Sequence, residues 1–270
     1  MDPNNNKTIE SFVKGFEEVA EIIKDRNPDL IIAPMFGAVP FIDILNIVDD
    51  EFPNNKVEYV PASNKVHRLR DVLRGVFKNL INAYTPVGGS FLSIDEVVSG
   101  NSLVRVFKQF DAARMQYANE KTKEMYGENA DFRDGNVCSF KDSILNSINY
   151  NSIGIVDSKM KRLGKKMNGE YNALVENEIV IPVDVDCIVT MDKTDFFPAR
   201  YKTDVDSENN TIYLPVVGGF DVSSHYVDFL KEVAEIVGKD PNSVTVSNLG
   251  KIRSSYIWVP EELRKVWLTP

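Results

Sequence analysis

Cysteine is nearly missing from this chain, with two thiols, Cys138 and Cys187, in 270 residues. They lie far apart and in no metal-ligand spacing, so they read as reduced, packed thiols, and zinc sites and disulfide scaffolds are set aside. Histidine is as scarce, and His67 and His225 read as surface or satisfied side chains rather than catalysts. No apolar run approaches the roughly 18 residues of a membrane span. The opening Met1-Asp2-Pro3-Asn4 is too polar for a signal peptide, so the expectation is a cytoplasmic protein. Positive charge is in deficit: 31 Lys and Arg stand against 40 Asp and Glu, a net −9. That balance argues against nucleic acid and makes a divalent cation the natural carrier of an anionic ligand. The chain also lacks GxxxxGK[ST], GxGxxG, HExxH, GxSxG and Cys-x-x-Cys patterns, which removes kinase, dehydrogenase, metalloprotease and hydrolase readings.

What is present is the composition of an ordinary globular protein, 43% apolar and 26% charged. In the N-terminal third, helical and strand periods alternate. Ile9, Phe12, Val13, Phe16, Val19, Ala20 and Ile23 recur at three and four, as on one helix face. The apolar run Asp29 to Pro34 reads as a buried strand, and Phe41 to Val48 as a helix with Pro40 in its first turn. Lys56 to Ala62 predicts a second strand, and Leu69, Val72, Leu73, Val76, Phe77, Leu80 and Ile81 a second helix. Gly88-Gly89 opens a third strand, Ser90 to Ile94, followed by a polar turn and a helix from Leu103 past Met115. Repeated strand, turn and helix at this spacing imply βαβ units and a parallel sheet. Ligands of such sheets bind at the strands' carboxyl ends, here Pro34 to Ala38, Ala62 to Arg68 and Asp95 to Ser102. Beyond Tyr117 the pattern weakens; Ser143 to Ile155 reads as helix or strand, Glu178 to Thr190 and Thr211 to Gly219 as strands, and Tyr226 to Val237 as a helix ended by Gly238. The expected organisation is an α/β core over 8–115 with a mixed α+β region, 116–270, packed on it as a cap.

The chemistry concentrates between Phe91 and Ser102. An apolar strand delivers two adjacent carboxylates, Asp95 and Glu96, and Ser99-Gly100-Asn101-Ser102 then opens a helix. Unpaired amides at a helix start, with the positive end of its dipole, suit a phosphate. Gly100 permits close backbone approach, and the hydroxyls of Ser99 and Ser102 add donors. The carboxylates suit vicinal sugar hydroxyls, or a hydrated Mg²⁺ met through its waters.

This segment resembles the 5-phosphoribosyl 1-pyrophosphate motif of type I phosphoribosyltransferases: an apolar strand, two acidic residues, a short spacer and Thr/Ser-Gly-x-Thr/Ser. Upstream, Leu30 to Phe41, with Phe36-Gly37-Ala38 in its turn, is similar to that family's first strand and pyrophosphate loop. The resemblance covers about residues 10 to 110. It implies a parallel-sheet, Rossmann-like phosphoribosyltransferase core and Mg²⁺-dependent transfer of a phosphoribosyl group to a nitrogenous acceptor, with pyrophosphate released. On it, Asp95 and Glu96 bind the ribose hydroxyls and meet the metal through water. Ser99, Gly100, Asn101 and Ser102 cradle the 5′-phosphate, and Phe36, Gly37 and Ala38 offer backbone groups to the pyrophosphate. Lys65 and Arg68 stand where the family has a mobile basic segment. Two departures favour a second reading, a phosphoribosyltransferase-fold sensor or partner-docking subunit. Val98 runs directly into Ser99, one residue short of the usual spacer, and the first loop holds Met35 or Phe36 where an Arg is usual. A sugar-phosphate enzyme of another α/β family is a third.

The remaining features read blandly. The basic stretches Lys65 to Arg74 and Lys159 to Lys166 are solvated faces. Phe196, Phe197, Trp258 and Trp267 are core or interface aromatics. The expected partner is the small-molecule substrate, with a homo-oligomer or protein partner left open and no membrane.

Overall fold

A computed structural model describes residues 3–34, 37–60, 62, 69–84, 88–157, 166–185, 199–205, 211–217 and 224–244. Five strands form one all-parallel sheet: β1 (Leu30–Pro34), β2 (Val57–Val60), β3 (Gly89–Val97), β4 (Ile148–Asp157) and β5 (Val180–Val185). Their order is β2-β1-β3-β4-β5. The helices are α1 (Pro3–Arg26), α2 (Val39–Val48), α3 (Leu69–Tyr84), α4 (Asn101–Tyr126), α5 (Gly135–Ser147), α6 (Gly169–Glu176) and α7 (Ser224–Ile236). An antiparallel hairpin, β6 (Ala199–Val205) with β7 (Thr211–Val217), forms a separate two-stranded sheet. The chain therefore has a Rossmann-like α/β fold.

The layers follow from the order of the strands. β2 lies on one side of β1 and β3 on the other, so right-handed crossovers must send α2 and α3 to opposite faces. The core divides accordingly. On one face Ile31, Ala33, Leu92 and Ile94 pack against Phe12 and Phe16 of α1, Phe41 and Ile42 of α2, and Leu230 of α7. On the other, Leu30, Ile32 and Phe91 pack against Phe77 of α3 and Phe110 of α4. Alternate strand residues thus serve opposite layers, which is why these strands read as continuous apolar runs. The apolar stripe expected on α1 is buried throughout, from Ile9 to Ile23.

Three differences from the sequence expectations matter for function. The sheet does not stop with the first half of the chain: β4 and β5 belong to it, and the boundary expected at 115/116 falls within α4. The ambiguous stretch Ser143 to Ile155 is both things in turn, helix to Ser147 and strand from Ile148. No turn residue separates the two, since Ser147 ends the helix and Ile148 opens the strand, so their patterns run together. Finally, β3 continues past Ile94, because Asp95, Glu96 and Val97 pair with Gly154, Ile155 and Val156 of β4. The acidic pair is part of a strand rather than of a turn.

Among the described residues, no helix is long and apolar enough to cross a membrane.

Phe110 anchors the α4 layer, its ring centroid 5.5 Å from Phe77, 5.1 Å from Phe91 and 4.5 Å from Tyr150. Truncation to alanine removes one of the larger buried side chains and leaves a cavity among three rings. Phe110→Ala is expected to cost about 3–5 kcal/mol of unfolding free energy in urea; a loss under about 1 kcal/mol would mean that this layer repacks freely.

Candidate functional site

β1 and β3 are neighbours, yet the helices that follow them leave for opposite faces. Open α/β sheets of this strand order bind ligands at the carboxyl edge, at that switch point. Both segments singled out in the sequence end there. Gly37, in the turn after β1, comes so close to β3 that a β-carbon on it would lie 3.0 Å from Asp95 Oδ1. Only glycine allows that approach without moving the carboxylate. Ala38, beside it, is fully buried and starts the α2 ladder by accepting from the Ile42 amide at 3.1 Å. Phe36, Lys65 and Arg68 lie outside the described residues, as do His67, Cys187, Phe196, Phe197, Trp258 and Trp267.

Because Asp95 and Glu96 are consecutive in a strand, their side chains leave on opposite faces. Asp95 shares its side with Phe91 and Val97, toward α3 and α4. It is 5% exposed, accepts from the Glu96 amide at 2.9 Å through Oδ1, and accepts the Ser102 hydroxyl through Oδ2. Glu96 shares its side with Leu92 and Ile94, toward α1 and α2, and is half-buried. The two carboxylates therefore play different parts: Asp95 is built into the scaffold, and Glu96 retains access to solvent.

The start of α4 supplies amides. Its cap is Gly100, at φ 80°, which carries no side chain to satisfy them. The first ladder bond runs from the Val104 amide to the Gly100 carbonyl at 3.1 Å, so the amides of Asn101, Ser102 and Leu103 precede the helical ladder. The side chains of this segment are used differently from the expectation. Ser102 donates to Asp95, and Asn101 Oδ1 accepts from Asn168 Nδ2 at 2.6 Å. The Ser99 carbonyl accepts from the Asn168 amide at 2.9 Å. Gly100 is needed for a neighbour as well as for its backbone: a β-carbon there would overlap the Tyr171 ring. The hydroxyl of Ser102 and the side chain of Asn101 are thus committed to Asp95 and Asn168, while the opening amides of α4 precede its ladder.

Three residues of this neighbourhood had escaped sequence reasoning. Asn168 caps α6 by accepting from the Glu170 amide at 2.8 Å, and an Asn just ahead of a Gly-Glu-Tyr run was the available signal. Tyr171 packs over Gly100 and reaches Gly154; burial first, then the Asp184 charge, raises its phenol above the ordinary range. Arg105, one turn into α4, donates from Nη2 to the Ala62 carbonyl at 2.5 Å. No local pattern marks either of the last two. Below Asp95 on the same side, the Tyr150 hydroxyl accepts from Ser152 Oγ at 2.9 Å; burial pushes that phenol up to about 12, so it stays neutral.

No family model, curated protein or solved structure matches the chain. The class the coordinates define is a doubly wound α/β protein with a glycine turn, a half-buried carboxylate and an uncapped helix start gathered at its switch point.

Two substitutions test this geometry. Ser102→Ala removes a hydroxyl bonded to a buried carboxylate and is expected to cost about 1.5–3 kcal/mol in urea denaturation. Gly100→Ala should lose about 1–2 kcal/mol from the left-handed backbone alone, and more from the overlap with Tyr171. A cost below about 0.5 kcal/mol for Gly100→Ala would show that α6 yields instead.

Proposed function

We propose that this chain is a phosphoribosyltransferase-like protein that binds 5-phosphoribosyl 1-pyrophosphate with Mg²⁺ at the β1/β3 switch point and transfers the phosphoribosyl group to a nitrogenous acceptor, releasing pyrophosphate. The observation that carries the reading is the meeting of two sequence-distant segments there: Gly37 lies against Asp95, and Asp95 is bonded to the first turn of α4.

The parts divide the ligand among them. The amides of Asn101, Ser102 and Leu103, with Ser99, take the 5′-phosphate at the positive end of the α4 dipole. Glu96 accepts hydrogen bonds from ribose hydroxyls. Asp95 holds Ser102, and with it the helix start, in register with the strand. The turn at Gly37 takes the pyrophosphate side of the ligand, without Ala38, whose amide donates to the Pro34 carbonyl at 3.1 Å and whose carbonyl accepts from the Ile42 amide. Among the described residues no three His, Cys, Asp or Glu side chains gather as a metal cage. The residue that would meet a hydrated Mg²⁺ carried by the substrate's phosphates is Glu96, through water. When bound, Mg²⁺ would supply charge neutralisation for the pyrophosphate leaving group.

In the reaction the acceptor nitrogen forms its bond to the anomeric carbon as the bond to pyrophosphate oxygen breaks, and pyrophosphate leaves with the electron pair. The acceptor's proton passes to water. The chain contributes position and preorganised dipoles rather than a covalent intermediate.

A second reading keeps the site and drops the transfer, leaving a sensor of the same ligand. It is favoured by the use of the Asn101 and Ser102 side chains to hold the scaffold, and by the direct junction of Val98 with Ser99.

Thermal melting with phosphoribosyl pyrophosphate and Mg²⁺ tests both. At 100 times its dissociation constant the ligand should add about 2.7 kcal/mol of stability, and Glu96→Ala should remove most of that gain while leaving the unliganded melt close to wild type. Absence of any shift in the wild type would overturn both readings. A shift with no pyrophosphate released across a panel of nitrogenous bases would select the sensor.

A further inference from the structure

We propose that the outward face of α4 docks an acidic amphipathic helix of a partner protein. The inference is independent of the ligand proposed for the β1/β3 site, which uses the opening turn of this helix. Among the described residues three large apolar side chains are exposed, Met115, Met125 and Tyr126, and all three belong to α4. Met115 and Tyr126 share one side of it, because the eleven residues that separate them make about three turns.

Along that side runs a groove of about 720 Å³. Ala112, Met115, Asn119 and Lys123 of α4 line it, together with Arg74 of α3, Phe132 from the turn before α5, and Lys141 of α5. From Ala112 to Lys123 it follows α4 for about 16 Å. A trough of that length beside a helix suits a second helix laid into it, with apolar anchors on Met115 and Phe132. A compact metabolite, which needs most of its surface enclosed, fits it poorly.

Charge selects the kind of helix. The lining carries three cations, Arg74, Lys123 and Lys141, against one carboxylate, Glu120, on a chain of net −9. Glu120 is already taken, by Lys78 at 3.0 Å and by Gln116 at 2.9 Å. The guanidinium of Arg74 is held by a neutral amide, Gln109 Oε1 at 3.2 Å, and its Nε is buried with no acceptor. The Lys141 ammonium stands over the Phe132 ring, 5.3 Å from its centroid. Lys123 pairs with Glu128 at 3.1 Å, a carboxylate 84% exposed that an incoming acid displaces at little cost. Apolar contact at Met115 then supplies affinity, and the cations choose and orient an acidic partner.

The bland alternative is a solvated helix face on which Met115 is a single surface methionine. The two differ in whether the face discriminates by charge. Fluorescence anisotropy of the full chain with labelled, alanine-based helical peptides of about 15 residues decides. One peptide carries Leu along one face with Glu at both ends of that face; a second has Lys for Glu, and a third Gln for Leu. The first should bind at least about tenfold more tightly than either of the others. Met115→Asp should weaken it about tenfold, and Lys141→Glu about fivefold while improving the Lys peptide by a similar factor. Lys24→Glu, the same charge change on α1 at the opposite face of the sheet, should alter binding less than about twofold. Failure of the first peptide to bind, equal binding of the Glu and Lys peptides, or an effect of Lys24→Glu as large as that of Lys141→Glu would overturn the proposal. So would sedimentation that shows a wild-type dimer dissociated by Met115→Asp, since the occupant would then be a second copy of this chain. Should Met115→Asp fail to fold, judged by its melt, the exchange of peptide preference in Lys141→Glu decides, and an unchanged preference sinks the inference.

Discussion

The hydroxyl of Ser102 donates to the buried carboxylate of Asp95, and the position of everything at the sheet's carboxyl edge depends on that bond. It ties the first turn of α4 to the end of β3. The carboxylate that receives it also limits what can stand after β1, because a β-carbon at Gly37 would lie 3.0 Å from Asp95 Oδ1 and press the carboxylate aside. Strand, helix and turn are thereby held in one register around a group that bulk solvent hardly reaches. A charge buried at 5% exposure is tolerable only when donors surround it, and the Glu96 amide and the Ser102 hydroxyl are two of them.

This arrangement assigns different work to two adjacent acids. A strand sends consecutive side chains to opposite faces, so one carboxylate becomes internal structure and the other keeps partial access to solvent. The same economy holds in the helix start. Its side chains hold neighbours, Asn101 toward Asn168 and Ser102 toward Asp95, while its amides precede the ladder. The geometry of this helix start depends on Gly100, whose left-handed conformation and bare α-carbon admit both the turn and the Tyr171 ring.

Much of the fold could be read in advance because its signals are local. The stripe from Ile9 to Ile23, the runs at Leu30 to Pro34 and Phe91 to Ile94, and the helix from Leu69 to Ile81 each declare their type through spacing alone. The second half was harder for a physical reason. β4 follows α5 with no turn residue between them, Ser147 ending one and Ile148 opening the other, and the short helix α6 buries only Tyr171 and Leu174 rather than a long stripe. Similarly, nothing near Arg105 in sequence indicates Ala62, 43 residues away.

The sequence by itself determined the alternation of helix and strand over the first hundred residues, the glycines at the turns, the acidic pair and the polar helix start, since each is a property of neighbours along the chain. Only the tertiary structure decided that β4 and β5 complete the same sheet, that Asp95 and Glu96 face apart, that Asn168 and Tyr171 back the helix start, and that Arg105 reaches the end of β2. Those facts depend on which strands pair and in what register, a choice made by packing between distant segments and carried by no residue alone.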